Sequence, residues 1–215
     1  MTPFRLDCLF FSQHQHRYED LFTLLSADER DRAARLKFED ARRRFVIGRG
    51  LLRIHLADLL NMPPEAVQFR YSEHGKPDLN HDTDLRFSVA HSADLLLITT
   101  ALGRAIGVDV EHLRPMPQMM SLAQSYFTQD EQKRLEHLTG DAQRAYFFRC
   151  WTAKEAYVKV SGAGFRSGAF THISVPTDAT TPYHLHHLDD TPLETHTLET
   201  FTPAEGYIAT VCIES

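Results

Sequence analysis

Two stretches of this chain carry residues whose types and spacing suit phosphate chemistry. In Gly107-Val108-Asp109-Val110-Glu111 the alternation predicts a strand, with Asp109 and Glu111 sharing the face opposite Ile106, Val108 and Val110. In Trp151-Thr-Ala-Lys-Glu-Ala-Tyr-Val-Lys159 the spacing predicts a helix, on which Trp151, Glu155 and Lys159 recur every four residues along one face. Three carboxylates and an ammonium can then converge. Such a set suits a magnesium ion carrying a diphosphate, with hard oxygen ligands for the metal and a lysine for the remaining phosphate charge. Taken singly, each acid is ordinary, and a Glu155–Lys159 ion pair on a helix surface is worth only about 0.2–0.5 kcal/mol. The combination is more telling, because the acids follow an Ile-Gly-Val run that should be buried, and Gly107 admits a close approach by another backbone or a ligand. Trp151, the sole tryptophan, reads as core.

The elements that must position these residues form a recurring pattern. A first strand near the amino terminus is followed by Ser26-Ala-Asp-Glu29, a capping box that opens a helix running to about Leu36. A second helix is expected over 40–60, with Phe45, Ile47, Leu51, Leu52, Leu56 and Leu59 on its apolar face and Pro63-Pro64 ending it. Residues 67–71 alternate as a strand and 73–77 form a turn. The segments 85–92 and 95–101 and the strand ending in Glu111 read as antiparallel neighbours. Leu113-Arg-Pro-Met-Pro117 reads as a linker.

The second half then repeats the first. Thr128-Gln-Asp-Glu131 is another capping box, and Asp141-Ala-Gln-Arg-Ala-Tyr-Phe-Phe echoes Asp40-Ala-Arg-Arg-Arg-Phe-Val-Ile about a hundred residues on. Strands are expected over 170–175, 184–188, 196–201 and 206–213. The reading is an α+β protein of two similar halves, 1–112 and 113–215, each with a mainly antiparallel sheet and a long helix, related by a pseudo-two-fold axis. A cleft between the halves is then the natural ligand site.

Composition narrows the class. The 215 residues are 42% hydrophobic, ample for buried cores in a soluble globular protein. The amino-terminal stretch carries an acid and has neither a long apolar run nor a cleavage site, so neither a signal peptide nor a membrane span is expected. Cys8, Cys150 and Cys212 are scattered, which argues against a disulfide framework or a four-thiolate zinc site and fits a cytoplasmic protein. The net charge of −6 conceals an asymmetry, since 30–53 hold nine Lys and Arg against three acids. That run is a solvated helical face or a seat for a compact anion such as a nucleotide phosphate. Nucleic acid is not expected, because the remainder is acidic.

Other motifs lead elsewhere or nowhere. The glycine-rich segment 162–168 follows a helix rather than a strand, so it reads as helix termination and not as a dinucleotide loop. His184, His186 and His187 offer zinc ligands only in a strand setting where exposed histidines are usually inert. There is no P-loop and no nucleophile elbow.

Together the two opening motifs resemble the 4′-phosphopantetheinyl transferases of the broad-specificity, Sfp-like type, whose signatures are a Gly-[Ile/Val]-Asp-x-Glu strand and a Trp-[Ser/Thr]-x-Lys-Glu-[Ala/Ser]-x-x-Lys helix. The likeness extends to Arg42-Arg43-Arg44-Phe through Arg49-Gly50-Leu51-Leu52-Arg53, to Gly75-Lys76-Pro77, and to Phe87-Ser88-Val89-Ala90-His91-Ser92. The last departs from the family's Phe-Asn-x-Ser-His-Ser/Thr, with Ser88 for asparagine and Ala90 for serine. That puts a hydroxyl contact to coenzyme A at position 90 in question.

The resemblance implies transfer of the phosphopantetheine arm of coenzyme A to a serine of an apo acyl or peptidyl carrier protein, releasing adenosine 3′,5′-bisphosphate. It assigns Mg²⁺ to Asp109, Glu111 and Glu155, gives Lys159 the catalytic role of binding a phosphate oxygen or assisting departure of the leaving group, and makes Glu111 or Glu155 the general base. Arg44, Lys76 and His91, with Arg49, Pro77 and Ser88 beside them, are expected around the adenosine 3′-phosphate and adenine. The internal duplication implies a monomer. The rivals are a non-catalytic coenzyme A binder, favoured only by Ala90, and another magnesium diphosphate enzyme such as a Nudix hydrolase, whose Glu-rich helix is lacking.

Overall fold

The structure, a computed structural model, describes residues 4–73, 75–161, 169–176, 181–189 and 191–215. The glycine-rich segment 162–168 and His74 of the expected turn lie outside the described residues. Strand β1 (Arg5–Phe10) leads through a 3-10 segment to α1 (Tyr18–Thr23), α2 (Ala27–Arg35) and the 22-residue α3 (Glu39–Leu60). A short hairpin of β2 (Phe69–Tyr71) and β3 (Pro77–Leu79) precedes β4 (Leu85–Ser92), β5 (Leu95–Leu102) and β6 (Ile106–His112). The helices α4 (Met119–Tyr126), α5 (Gln129–His137) and the 22-residue α6 (Gly140–Ser161) follow. The chain closes with β7 (Ile173–Ser174), β8 (His186–His187), β9 (His196–Phe201) and β10 (Tyr207–Glu214). Among the described residues no helix is long and apolar enough to cross a membrane.

Both capping boxes form as read. The Glu29 carboxylate accepts from Ser26 N at 3.0 Å and that of Glu131 from Thr128 N at 2.8 Å, each satisfying a donor that a helix start leaves orphaned. Each glutamate is also buried and ion-paired to the long helix that follows. Glu29 meets Arg53 at 2.8 Å, and Glu131 meets Lys154 at 2.7 Å. Helix α3 stops where Asn61 turns left-handed (φ 52°) and donates to the carbonyls of Ala57 and Asp58, just before the two prolines.

These buried cations explain two shortened strands. The strand expected over 67–71 pairs only from Phe69, because Arg53 draws the carbonyls of Pro64 and Val67 onto its guanidinium. Likewise Lys154 takes the carbonyls of Phe170 and Ile173, and the stretch expected to pair over 170–175 is a 3-10 turn followed by the two-residue β7. The strand expected over 184–188 reduces to β8.

Two three-stranded antiparallel sheets, β1-β5-β4 and β6-β10-β9, carry the fold. Alternation sorts their side chains cleanly. Leu95 and Leu97 join Ile106, Val108, Val110, Ala209 and Val211 in a core shared by both sheets. Leu96 and Ile98 point the other way and pack with Val46, Ile47 and Leu51 of α3. In the second sheet Cys212 and Leu198 pack with Phe147, Ala153 and Ala156 of α6.

The third expected neighbour of the β4–β5 hairpin pairs differently. β6 is laddered to β10, and it meets β4 without a backbone ladder. Two serine hydroxyls bridge that seam instead: Ser88 Oγ accepts from Val108 N and Ser92 Oγ from His112 N, both at 3.1 Å. The equal steps of four residues set the two strands side by side in the same direction. A hydroxyl that reaches across takes the place of a carbonyl and leaves the N–H satisfied.

Candidate active site

Helix α6 reaches the acid-bearing strand because of Gly107. A Cβ there would lie 2.1 Å from the Ala156 carbonyl oxygen and 3.0 Å from Val160 N, so helix and strand backbones touch only where no side chain intervenes. With Ile106, Val108 and Val110 buried in the shared core, Asp109 and Glu111 take the helix side, as their alternation requires. Lys159 then donates to Asp109 Oδ1 at 2.8 Å and to the Val108 carbonyl at 3.0 Å. The 3.6-residue period puts Glu155 one turn earlier on the same flank.

Charge is crowded at this junction. Asp109 is only 8% exposed, its Oδ2 has no hydrogen-bond partner, and burial raises its pKa despite Lys159. The Glu155 carboxyl is pushed up to about 7, first by desolvation and then by Asp109, with Lys159 opposing and Glu111 adding to the rise. The Glu111 carboxylate is turned to the seam, where its Oε2 accepts from Ser92 Oγ and from Arg114 Nη1, both at 2.8 Å.

A cleft of about 420 Å³ opens beside this cluster. One wall is α3, with Arg44, Phe45, Gly48, Arg49 and Leu52; Arg32 of α2 stands at its rim. The opposite wall is Gly75, Lys76 and Pro77 before and at the start of β3, and the floor is Phe87, Ser88, Val89 and His91 of β4. Glu155, Val158 and Lys159 of α6 close the end. The Lys76 ammonium donates to the Lys159 carbonyl, fastening the first-half turn to the second-half helix.

All seven residues expected around coenzyme A line this cleft: Arg44, Arg49, Lys76, Pro77, Ser88, His91 and Lys159. Their present partners differ. Arg44 donates to the Ala93 carbonyl at 2.7 Å, linking α3 to the β4–β5 turn. Arg49 lies 3.6 Å from Glu29 and over the Phe69 ring, its Nη1 buried without a hydrogen bond, and burial lowers its pKa. Burial also pulls the Lys76 ammonium down, with Asp78 opposing and Lys159 reinforcing. His91 packs edge-on against Phe11 and is kept toward its neutral form by burial, with Lys159 and Arg44 adding to the effect. The Ser88 hydroxyl is spent on the seam, and Ala90 is buried in the core shared by the sheets, away from the cleft.

Two of the three expected metal carboxylates, Asp109 and Glu111, are not among the residues lining the cleft, whereas Glu155 is. Among the described residues no three His, Cys, Asp or Glu side chains stand close enough to share a metal ion. The cause is local: Asp109 is drawn to Lys159, and Glu111 to Ser92 and Arg114. The donor chemistry nonetheless fits a hard divalent cation, because a buried carboxylate oxygen is orphaned beside a second carboxylate that its neighbours drive toward protonation. Trp151 is packed among Tyr126, Phe147 and Phe170, as core. His184 has a ring nitrogen engaged by the His196 carbonyl at 2.7 Å.

Sequence reasoning missed three participants. Arg32 lay within the basic run already singled out, but its helix gave no sign of facing the cleft. Ser92 was legible in principle, since 88 and 92 share a strand face. Arg114 follows Glu111 by three residues, within what read as a linker.

Residues 105–212 match the profile of the 4′-phosphopantetheinyl transferase superfamily, and residues 11–102 match that of the 4′-phosphopantetheinyl transferase N-terminal region. The chain is 41% identical over 155 residues to 4′-phosphopantetheinyl transferase HetI of Nostoc, covering 71% of this chain and 65% of that protein. It is 35% identical over 151 residues to 4′-phosphopantetheinyl transferase AcpT of Salmonella typhi, covering 70% and 73%. It is 29% identical over 150 residues to 4′-phosphopantetheinyl transferase psf-1 of Bacillus pumilus, covering 70% and 63%. The chain thus spans less than two thirds of the length of HetI and psf-1. The two profiles meet at the turn between β5 and β6 and between them take in both sheets, and the chain belongs to the 4′-phosphopantetheinyl transferase superfamily.

Proposed function

We propose that this protein transfers the 4′-phosphopantetheine group of coenzyme A to a serine hydroxyl of an apo carrier protein, with Mg²⁺, releasing adenosine 3′,5′-bisphosphate. The observation that carries the reading is a single cleft whose cationic and aromatic wall runs into the Glu155 and Lys159 end of α6, with Asp109 bonded to Lys159. Arg44, Arg49 and Lys76 suit a phosphate dianion, and the partly buried Phe45 ring beside them suits a base. The site draws on both halves of one chain, which favours a monomer.

Asp109, Glu111 and Glu155 would hold the cation. When bound it offsets charge on the diphosphate and on the departing nucleotide phosphate. The remaining chemistry falls to side chains. A new bond forms from the carrier serine oxygen to the β-phosphorus, and the bond from that phosphorus to the oxygen bridging the two phosphates breaks. The serine proton needs an acceptor, and Glu155 is the carboxylate that lines the cleft; in the metal-free chain burial and then Asp109 push its pKa up to about 7, a value that a bound cation would lower. A carboxylate has two oxygens, so one can serve the cation while the other accepts the proton. Lys159 is a donor for the oxygen on which negative charge develops.

The rival of a non-catalytic binder rested on Ala90, and that side chain is buried in the core between the sheets. The test is to mix the protein with coenzyme A, Mg²⁺ and apo carriers of the fatty-acid, polyketide and nonribosomal-peptide types. Each carrier should gain one phosphopantetheine in its mass spectrum, with equimolar adenosine 3′,5′-bisphosphate. Unchanged masses across all three carriers would overturn the activity.

A further inference from the structure

Arg114 stands where the strand of acids runs out into the connecting segment, and it does three things at once. Its Nη1 donates to Glu111 Oε2 at 2.8 Å and to the His112 carbonyl at 3.2 Å, and its guanidinium lies 5.6 Å over the Phe148 ring of α6. The same Glu111 oxygen also receives the Ser92 hydroxyl, which in turn accepts from His112 N. One carboxylate oxygen is therefore held by two donors, one of them a full positive charge. Asp109, by contrast, takes one ammonium, that of Lys159, and keeps an orphaned oxygen, while Glu155 feels the same ammonium only through space.

We propose that Arg114 is a built-in competitor for the cation: it holds Glu111 Oε2 in the metal-free chain and opposes the recruitment of that carboxylate to a divalent ion. The inference rests on the metal assignment above. Two positive charges do not share one carboxylate oxygen without loss, so a divalent ion that recruits Glu111 displaces the guanidinium or weakens its hold. Arg114 lies at the start of the segment that leads into α4, and cation binding thereby frees that segment's first charged side chain. The aromatic face of Phe148 gives the guanidinium a resting place once the carboxylate is gone. Arg114 acts through Glu111 and is a positioning residue.

The effect has a bounded size. The Arg114 side chain is 44% exposed and that of Glu111 19%. A pair so placed is worth little, and removing it should tighten cation binding by roughly two- to fivefold.

The experiment is a Mn²⁺ titration of the whole protein, without coenzyme A, read by the loss of the free-ion electron paramagnetic resonance signal. Wild type is compared with Arg114→Gln, Arg114→Lys, Glu111→Gln and the double variant Glu111→Gln/Arg114→Gln, each checked for cooperative melting. Arg114→Gln should bind Mn²⁺ more tightly than wild type, and Arg114→Lys, which keeps the charge, should stay close to wild type. The gain from Arg114→Gln should vanish when Glu111 is already glutamine. A general field effect would persist in that background, so an equal gain there overturns the proposal. So does an Arg114→Gln affinity equal to or weaker than that of wild type, or a gain from Arg114→Lys as large as that from Arg114→Gln. If wild type binds no Mn²⁺ at all, the metal assignment itself falls, which separates that failure from failure of the competitor role.

Discussion

Asp109 and Glu155 sit where a carboxylate is uncomfortable, and their discomfort is measurable. Glu155 carries a pKa of about 7 against an ordinary 4.5, so the folded chain holds its proton more tightly than the unfolded chain does. Its contribution to stability is then fully present below pH 4.5 and is lost as pH rises through about 7. We predict that Glu155→Gln raises the melting temperature of the metal-free protein, by an amount that grows from pH 5 to pH 8. Saturating Mg²⁺ should narrow the difference by stabilising wild type alone, and a difference that is flat with pH would refute the assignment. His91 runs the other way. Its lowered pKa makes the folded state lose stability as pH falls below its ordinary value of 6.5. For turnover, Glu155→Ala or Asp109→Ala should cost roughly 10²–10⁴-fold while leaving the protein folded. Circular dichroism and the carrier mass assay check both halves of that statement, and full activity in either variant would contradict it.

At the scale of elements, the junction of α6 with β6 is the most exacting contact in the molecule. Gly107→Ala should destabilise by about 1–3 kcal/mol, since a methyl group placed 2.1 Å from the Ala156 carbonyl forces helix and strand apart. Activity should fall further than stability does, because the same shift carries Lys159 away from Asp109; equal losses would argue against this geometry. The capping glutamates make a second such contact. Lys154, fully buried against Glu131, is a member of the recognition motif that plays no part in the cleft. Lys154→Met should cost about 3–5 kcal/mol by stranding the Glu131 charge, and the double variant with Glu131→Gln distinctly less. Chemical denaturation of the three proteins tests this.

Much of that was readable in advance. Caps, helix periods and the two-residue alternation at Asp109 and Glu111 are local rules, and they placed α2, α3, α5, α6 and the acid face of β6. The partner of β6 was not readable, because register with β10 depends on residues about a hundred positions away. Nor were the shortened strands, where buried Arg53 and Lys154 take carbonyls that propensity alone would assign to a ladder. In the site, residue types were legible and present partners were not. Nothing local says that Glu111 turns to Ser92 and Arg114.

Seen whole, the molecule is built around two three-stranded sheets, each with its own 22-residue helix, its own capping glutamate and its own buried cation. Glu29 and Arg53 stand in the first half where Glu131 and Lys154 stand in the second; we propose that the halves arose by duplication and are related by a pseudo-two-fold axis. Between the sheets lie a shared apolar core and the serine-bridged seam. Ser88→Ala would leave Val108 N–H buried and unsatisfied at a cost of about 1–3 kcal/mol. It should accelerate hydrogen exchange at Val108 more than at the laddered amides of β10; uniform acceleration would count against a distinct seam.

Hydroxyl bridges of this kind are made by side chains already belonging to one partner, so they do not require the strands to be covalently continuous. Gly103, left-handed at φ 67° in the turn between β5 and β6, is the point where the backbone passes from one sheet to the other. Two polypeptides, 1–103 and 104–215, would between them keep every strand ladder of the described residues, since none crosses that point. Produced together, they should assemble by the apolar face they share and regain a cleft that neither contains alone, turning one polypeptide into a reporter of its own reassembly.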